Sequence, residues 1–422
     1  MKLSRRTCLA TLPAAALALT SCSNDSPEPT TSGQAELTFW GTYGNGGNSA
    51  QTDVLTKELL PAFHKANPTI TVKYVDMPYD GLKQKLTTGA AGGELPDLLR
   101  SDIGWIAQFG KMGAFKALDE ELPTFDELSK AVFPGTLAAN HWDGHYYGLP
   151  LNTNTRVLVA NPDALKEAGF DKPPASFDDM RKLGEALKGK KVQAFAEAEL
   201  SAWAIMPWIW SAGGDIADPD MTRSTGVLDS SASVAGLQLL VDLYRQDQIP
   251  NLIVGNKGAT ATSDGLPGGN YATILDGPWM TDIWDGQYPD FKPIYAPVPA
   301  GDGGSISVVG GESIVVTEET KNAEAAFKFV EFALSDEYQL GMAKAGQMSV
   351  KPGLSSKQTE VAPHFEVFAE QLETAKSRLP HPNAGEIDEI LNQELVKAFD
   401  GSATAQDVLS AAASRIDDVL AK

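Results

Sequence analysis

The chain contains 422 residues, and its 55 acidic residues outnumber the 34 basic ones, which gives a formal net charge of −21. Such an acidic protein repels phosphate backbones and anionic headgroups, which argues against nucleic acid as a partner and against broad contact with a membrane surface. Both cysteines, Cys8 and Cys22, lie near the amino terminus. The body of the chain therefore offers no thiol nucleophile, disulfide, zinc–thiolate site or iron–sulfur cluster.

The first 22 residues have the pattern of an export signal. Lys2, Arg5 and Arg6 precede an apolar run of about a dozen residues, which is shorter than the roughly 20 needed to cross a bilayer. The run ends in Leu19-Thr20-Ser21-Cys22, which resembles the lipobox of bacterial lipoproteins and implies a signal peptide at 1–21 and a lipid on Cys22. Ser4-Arg5-Arg6 also resembles a twin-arginine signal, although Cys8 replaces the usual Phe, so the export route stays open.

A polar segment follows at 22–35. It is rich in Ser, Pro and Thr and has no large apolar residue, so we expect a flexible tether. The remaining residues, roughly 390, exceed the size at which one hydrophobic core keeps growing, and two domains are expected.

Strand and helix patterns alternate in the first part of the body. In chain order they are strand Leu37–Trp40, a helix with Leu55, Leu59 and Phe63 on one face, strand Ile70–Val75, helix Tyr79–Thr88 and strand Leu95–Leu99. This rhythm predicts a parallel sheet with right-handed crossovers, so the loops after the first and third strands should meet at one edge. Those loops carry aromatic and polar side chains: Trp40, Thr42, Tyr43, Ser101, Asp102 and Trp105.

The middle of the chain begins with a polar extended piece, Asn152–Thr155, followed by the apolar strand Val157–Ala160. Asn161-Pro162 then predicts the start of a helix at Asp163–Gly169. Further helices are predicted at Phe177–Leu187 and at Ala232–Tyr244, where amphipathic spacing is clear. Between them lies a cluster of three tryptophans, of which Trp208 and Trp210 are expected in the core and Trp203 is a candidate for binding.

Residues Tyr271–Trp284 predict a strand that ends in the breaker turn Asp276-Gly277-Pro278 and starts a helix with proline at its first position. Open α/β sheets bind ligands at the carboxyl ends of their strands. A tryptophan at that place, Trp279, offers a flat apolar face beside the hydrogen-bonding Asp276, which suits a sugar ring. Burial of Trp279 in the core is the alternative.

The last part of the chain contains two extended segments, Ile294–Pro299 and Ser305–Val316, and Gly310-Gly311-Glu312 interrupts the second. A capped helix is predicted at Thr320–Leu334. Helices separated by a loop at Leu379–Gly385 are predicted from Phe365 to Leu420.

Taken in order, these segments resemble the extracellular solute-binding proteins of carbohydrate ABC importers, the family that includes maltose-binding protein. The resemblance covers nearly all of the chain from Leu37 to Leu420. It is carried by the lipobox, Leu37–Trp40, Leu95-Pro96-Asp97, Tyr147-Gly148-Leu149-Pro150, Ser211–Asp215, Asp276–Trp279, Gly310-Gly311 and Ala325–Val330.

The resemblance implies an α/β fold of the periplasmic-binding-protein type, in which two lobes close on a ligand by a hinge of several segments. Crossings between lobes are expected near Asn152–Arg156, Val309–Ser313 and Leu354–Phe365. Lobe 1 would comprise 36–152 and 311–358, and lobe 2 would comprise 153–310 and 359–422.

Carried over by position, the resemblance implies nine sugar contacts: Tyr43, Asp102, Trp105, Asn154, Trp203, Asp276, Trp279, Gly311 and Glu312. Family members often place an aromatic residue before a helix that is expected here near Ile387. This chain has Asn383-Ala384-Gly385-Glu386 instead, so a stacking platform is expected to be missing and a long glucan is disfavoured.

The expected function is capture of a sugar, a short oligosaccharide, and its delivery to the membrane subunits of an ABC permease. We expect a monomer without catalytic activity, cofactor or metal, held at the outer face of the cell membrane by its lipid alone. A secreted glycoside hydrolase is an alternative, since Asp102, Asp276 and Glu312 could supply paired carboxylates. A binding protein for a polyamine, a peptide or another polyol is a further alternative.

Overall fold

Two β-sheets organise the protein. The computed structural model describes residues 34–44, 50–255 and 258–422, and Ala35–Lys422 form one compact unit. The predicted signal peptide, Cys22 and most of the predicted tether lie outside the described residues.

The strands are, in chain order, β1 Ala35–Gly41, β2 Ile70–Asp76, β3 Leu98–Asp102, β4 His141–Trp142, β5 His145–Tyr146, β6 Leu149–Thr155, β7 Val157–Ala160, β8 Gln193–Ala196, β9 Tyr271–Asp276, β10 Ile294–Ala296, β11 Val308–Val316 and β12 Lys376–Ser377.

The α-helices are α1 Ala50–Val54, α2 Leu60–Ala66, α3 Tyr79–Gly92, α4 Ile106–Lys111, α5 Leu118–Glu121, α6 Phe125–Lys130, α7 Pro134–Ala138, α8 Pro162–Glu167, α9 Phe177–Leu187, α10 Ala202–Ser211, α11 Ser231–Arg245, α12 Thr262–Gly265, α13 Met280–Gln287, α14 Ala323–Ala333, α15 Asp336–Ala343, α16 Ser355–Val361, α17 Phe365–Leu372, α18 Ala384–Phe399 and α19 Ala405–Leu420. A π-helical segment, Leu55–Leu59, joins α1 to α2, and short 3-10 turns occupy Ile103–Trp105, Asn251–Val254 and Pro352–Leu354.

The larger sheet has the strand order β12-β11-β3-β1-β2, and β6 also pairs with β11. As predicted, β1 is parallel to both β2 and β3, so the ends of β1 and β3 lie at the same edge. Strand β11 runs antiparallel to β3 and β6, which sets Glu312 opposite Asp102 on one side and Asn152 on the other.

The smaller sheet has the order β10-β7-β9-β8. Its central strand β7, Val157–Ala160, is buried throughout, as its uninterrupted apolar sequence suggests. Helix α8 begins directly after it because Asn161 accepts hydrogen bonds from the amides of Asp163 and Ala164, with Pro162 at the first helical position.

Each sheet has its own core. Leu37, Phe39 and Leu98 of the larger sheet pack against helices α2, α14 and α15. A second cluster joins α10 to α11, α18 and α19, and it includes Trp208 and Trp210, which are 0% and 2% exposed. The prediction that these two tryptophans are core residues is confirmed.

The chain first passes from the larger sheet to the smaller one at Arg156, the one residue that separates β6 from β7. This lies within the predicted first crossing. At the predicted second crossing, Val309–Glu312 of β11 pair with Asn152–Thr155 of the first crossing, at the edge of the larger sheet. The chain enters that sheet at Val308, so the passage precedes it. Within the third predicted crossing, Leu354–Phe365, the chain reaches the core beside β7 at Phe365.

Several predicted boundaries also shift. The third strand runs from Leu98 to Asp102 and not from Leu95, since Pro96 has no amide hydrogen to donate to a sheet. Helix α13 begins at Met280, so Pro278 belongs to the preceding turn. Helix α18 begins at Ala384, before the expected start near Ile387.

Candidate ligand-binding cavity

A cavity of about 570 Å³ lies between the strand ends of the larger sheet and helices that pack beside the smaller sheet. Its volume falls within the roughly 300–1,000 Å³ typical of small-molecule sites. The lining residues are Thr42, Gln51, Tyr79, Lys83, Arg100, Asp102, Trp105, Asn154, Glu199, Ser201, Trp203, Trp279, Ile283, Gly310, Gly311, Glu312, Gln347, Arg378, Asp388 and Asn392.

Most of the sequence-predicted contacts come together at this cavity. The predicted residues that line it are Asp102, Trp105, Asn154, Trp203, Trp279, Gly311 and Glu312. They come from distant parts of the chain, since β3, β6 and β11 contribute from one side and α10 and the turn before α13 contribute from the other.

Tyr43 does not line the cavity. Its side chain is 1% exposed, its hydroxyl lies 3.1 Å from the hydroxyl of Tyr338, and its ring lies 4.4 Å from the Arg100 guanidinium carbon. Burial raises the pKa of Tyr43. The turn after β1 therefore directs this ring into the core beneath Arg100, and Tyr43 supports a cavity residue in place of the predicted ligand contact.

Asp276 also does not line the cavity. Its carboxylate accepts a hydrogen bond from the amide of the next residue, Gly277, at 2.8 Å. Burial raises the pKa of Asp276 to about 6, and the Arg156 guanidinium acts in the opposite direction. The side chain thus turns back on its own loop, which explains why its position at the end of β9 does not make it a direct contact.

Two pairs of aromatic rings form the apolar surfaces of the cavity. Tyr79 and Trp105 lie with ring centroids 4.9 Å apart and planes inclined at 46°. Trp203 and Trp279 are stacked, with centroids 6.4 Å apart and planes at 27°. Flat aromatic faces of this kind can cover the C–H patches of a sugar ring and bury apolar area worth about 25 cal/mol per Å².

Glycines allow the second pair to sit where it does. A Cβ atom on Gly277 would lie 2.0 Å from a ring carbon of Trp279, and a Cβ atom on Gly310 would lie 2.7 Å from the ring of Trp203. Gly311 has a φ of 130° and approaches the carbonyl oxygen of Asn152, which a Cβ would meet at 2.3 Å. Gly311, predicted as a sugar contact, therefore lines the cavity with its backbone and allows β11 to approach β6 closely.

Two ion pairs hold the charged groups of the cavity. An Nη2–Oε2 distance of 2.8 Å joins Arg100 to Glu312, and Glu312 also accepts a hydrogen bond from the Asn152 amide at 2.5 Å. The second pair joins Arg378 to Asp102 at 2.8 Å, and Asp102 further accepts from the Tyr79 hydroxyl at 3.0 Å. Burial raises the pKa of Glu312, against the opposing effect of Arg100.

The side of the cavity formed by α18 is polar. Asp388 accepts a hydrogen bond from the amide of Ala202 at 2.8 Å, and Asn392 accepts one from the amide of Leu200 at 3.1 Å, so both cap the start of α10. Glu199 accepts from the Ser201 hydroxyl at 2.7 Å. Cavity-lining residues of α18 are thus an acid and an amide, where the family resemblance implied an aromatic platform nearby.

Some polar atoms of the cavity-lining residues have no hydrogen-bond partner within the described part of the protein. Among the described residues, Asn154 Oδ1 and Arg378 Nε are buried and have no hydrogen-bond partner. The carboxylates of Asp102 and Glu312 accept bonds of the charge-assisted kind that recognise hydroxyl groups. No group of three His, Cys, Asp or Glu is arranged to hold a metal ion within residues 34–44, 50–255 and 258–422.

Sequence reasoning missed several lining residues, of which Arg100 and Arg378 are the most important. A charge inside the apolar strand Leu98-Leu99-Arg100 was a usable signal for the first, since arginine is rarely buried unless paired. No local pattern marks Arg378, because it reaches Asp102 only through the tertiary fold.

None of the helices within the described residues has the length and apolar character needed to cross a membrane.

A maltooligosaccharide ABC transporter solute-binding lipoprotein of Streptococcus pneumoniae is 25% identical over 425 residues, covering 96% of this chain and 93% of the relative.

Solved structures share the fold. The GacH receptor of Streptomyces glaucescens has a TM-score of 0.81 at 21% identity, covering 92% of this chain and 99% of that one. UgpB of Mycobacterium tuberculosis, in complex with glycerophosphocholine, has a TM-score of 0.77 at 20% identity, covering 92% and 98%. Residues 46–340 match the model of one family across most of the chain. The protein belongs to the family of bacterial extracellular solute-binding proteins.

Proposed function

We propose that this protein captures an uncharged sugar, a short oligosaccharide, in the cavity and delivers it to the membrane subunits of an ABC permease. The observation that carries the proposal is the combination of two aromatic surfaces, Tyr79–Trp105 and Trp203–Trp279, with paired carboxylates beside them. A sugar needs both, because its hydroxyls require hydrogen-bond partners while its C–H faces prefer an aromatic ring.

The ion pairs of the cavity favour an uncharged ligand. Each arginine, Arg100 and Arg378, already faces a carboxylate at 2.8 Å. A phosphate group on the ligand would have to compete with the carboxylate of one of these pairs and leave that carboxylate buried without a counter-charge, which is costly. A hydroxyl group can instead share the free lone pairs of Asp102 or Glu312, at roughly 1.5–3 kcal/mol for each charge-assisted bond.

The related lipoprotein of S. pneumoniae, whose name specifies maltooligosaccharide transport, supports a carbohydrate ligand. UgpB was solved in complex with glycerophosphocholine, a zwitterion, so the same fold can hold a solute that carries charged groups. Because the arginines of the present cavity are already paired with carboxylates, the cavity suits a carbohydrate better than glycerophosphocholine. The polar α18 side, with Asp388 and Asn392, favours a short oligosaccharide over a long glucan.

We further propose that the ligand leaves unchanged. A glycoside hydrolase needs one carboxylic acid to donate a proton and a second carboxylate to act as nucleophile or base. Asp102 and Glu312 are each held by an arginine at 2.8 Å, which fixes both carboxylates as hydrogen-bond acceptors for ligand hydroxyls.

The remaining expectations are proposals as well. The protein would act as a monomer, with lobe 1 at 36–152 and 311–358 and lobe 2 at 153–310 and 359–422, and the lobes would close on the sugar. A lipid on Cys22 would hold it at the outer face of the cell membrane.

A thermal-shift screen tests the proposal. The purified protein is heated with mono-, di- and trisaccharides and, as comparison ligands, with spermidine, a tripeptide and glycerophosphocholine. A ligand at a hundred times its Kd should add about 2.7 kcal/mol to the free energy of unfolding. A shift with neutral sugars alone supports the proposal, whereas a shift only with a charged comparison ligand would replace it. Chromatography of the sugar after incubation detects hydrolysis.

A further inference from the structure

Arg156 is the residue that connects the two sheets, because β6 ends at Thr155 and β7 begins at Val157. Its side chain is 6% exposed and does not line the cavity. A buried guanidinium requires partners on every side, so the groups that it contacts show what it holds together.

The guanidinium contacts the two segments that carry the stacked tryptophans. Nη1 donates to the main-chain carbonyl of Trp203 at 3.2 Å, and Nη2 donates to the carbonyl of Leu275 at 2.5 Å. Leu275 is the next-to-last residue of β9, which leads into the loop that carries Trp279. The guanidinium carbon also lies 5.7 Å from the centre of the Trp203 ring.

A buried carboxylate supplies the counter-charge of the arginine. Glu197, which follows β8 and is 3% exposed, lies with Oε2 at 2.8 Å from Arg156 Nη2. The main chain of Arg156 is held too, because its carbonyl accepts a hydrogen bond from the Ser307 hydroxyl at 2.6 Å. Ser307 directly precedes β11. Arg156 therefore connects two of the segments that pass between the sheets, Arg156 itself and the segment that enters β11, to one aromatic pair.

We propose that Arg156, oriented by Glu197, is a positioning residue that fixes the Trp203–Trp279 pair relative to the crossing strands. The expected effect of Arg156 on sugar affinity rests on the proposed function. Its expected effect on the geometry of the two tryptophans does not. Arginine suits the role because its planar fork can satisfy two carbonyls and a carboxylate at once, whereas lysine offers a single point of charge.

Two acidic side chains face the Arg156 guanidinium, so its ion pair should depend on pH. Burial raises the pKa of Glu197 to about 7, against the opposing effect of Arg156, and the neighbouring Glu199 raises it further. Asp276, whose pKa is about 6, is the other acid that faces the guanidinium. As the pH falls from 8 to 6, Glu197 takes up a proton first and its ion pair with Arg156 weakens.

The test uses the full-length protein without ligand, and near-ultraviolet circular dichroism as the readout of tryptophan geometry. The contribution of the stacked pair to this signal is the difference between the spectra of the wild type and of Trp279→Phe. We expect Arg156→Lys to lower that contribution by about half or more, because two of the three anchors are lost. Arg245→Lys is the matched control, since Arg245 also donates to a main-chain carbonyl, that of Ala398, but far from the pair.

A pH titration of the same signal separates positioning from general destabilisation. The pair's contribution should fall between pH 8 and 6 in the wild type. In Glu197→Gln the part of this fall above about pH 7 should be absent, because Asp276, with a pKa of about 6, is the acid that remains. An unchanged contribution in a folded Arg156→Lys protein would overturn the proposal. Should that variant fail to fold, a wild-type signal that stays constant between pH 8 and 6 overturns it instead.

An affinity measurement links the pair to binding. With maltotriose as the probe, Arg156→Lys should raise Kd about tenfold relative to Arg245→Lys. If the wild type binds neither maltotriose nor any other sugar while the spectroscopic result holds, the proposed function fails and the positioning role stands.

Discussion

Trp203 and Trp279 stack at 6.4 Å although one lies on α10 and the other in the turn before α13. Each ring rests against a glycine, Gly310 and Gly277 respectively, at a distance that a Cβ atom would not permit. The two rings can therefore stack in this position only because both neighbouring residues are glycines. Together the rings give one side of the cavity a broad apolar surface.

Trp279→Ala should weaken sugar binding at least tenfold, or about 1.4 kcal/mol, while the protein stays folded. The reason is that Trp279 is only partly buried and lines the cavity. Trp284→Ala is the matched control, because Trp284 is 1% exposed and its loss should cost about 3–5 kcal/mol of stability. Titration calorimetry and urea unfolding measure the two effects. Loss of stability in Trp279→Ala without loss of affinity would make Trp279 a core residue.

Gly277→Ala should also weaken binding by about tenfold, because the new methyl group must displace the Trp279 ring. The backbone at Gly277 does not occupy the left-handed region, so alanine is tolerated there apart from this contact. Gly286→Ala in the same loop-and-helix unit meets no atom within 4 Å and should leave affinity intact and stabilise α13 slightly. Equal affinities for the two alanine variants would show that the ring position does not matter.

Asp276→Asn should remove a pH dependence of stability. Burial raises the pKa of Asp276 from its ordinary 3.8 to about 6, so the folded state favours the protonated acid. The wild type therefore loses stability relative to the variant as the pH rises from about 4 through about 6, by about 1–3 kcal/mol. Urea unfolding at pH 4 and pH 7.5 measures the difference. Parallel pH profiles for the two proteins contradict the expectation.

Asp102→Asn should change the charge preference of the cavity. The substitution leaves Arg378 without its carboxylate, so we expect weaker binding of neutral sugars and a new stabilisation by anions such as glucuronate. Lys73→Met, which breaks an exposed ion pair with Glu36, is the control and should do neither. Thermal shifts of the two variants with glucose and with glucuronate measure this preference. If Asp102→Asn still prefers glucose, as the wild type does, the ion pair does not set the charge preference.

Cys22→Ser should release the protein from the membrane fraction, since serine cannot carry the thioether-linked lipid. Cell fractionation followed by immunoblotting checks this, with Cys8→Ser as a control that should remain anchored. Retention of Cys22→Ser in the membrane would show that another part of the chain provides the attachment.

The order of elements and the parallel core of the larger sheet could be predicted because they follow from local patterns. Apolar strands at Leu37–Trp40 and Ile70–Val75 alternate with amphipathic helices, and the structure has these elements with ends shifted by a few residues. Helix Phe177–Leu187 has the predicted bounds, since Ser176 caps it.

Contacts that depend on packing could not be predicted in the same way. Tyr43 and Asp276 occupy the expected chain positions, but one ring turns beneath Arg100 and one carboxylate turns back to its own loop. Arg378 enters the cavity from a segment without any local pattern. The direction of a side chain at a strand end is decided by neighbours that are remote in sequence. Chain position therefore identified the strand ends correctly but could not show which side chains face the cavity.

Isothermal titration calorimetry with the sugar that gives the largest thermal shift tests most directly whether this protein binds a neutral oligosaccharide without turnover. We predict one site per chain, a Kd in the micromolar range or below, and complete recovery of intact sugar after the titration. The absence of binding heat with every neutral sugar, or the appearance of shorter products in the cell, would contradict the proposed function.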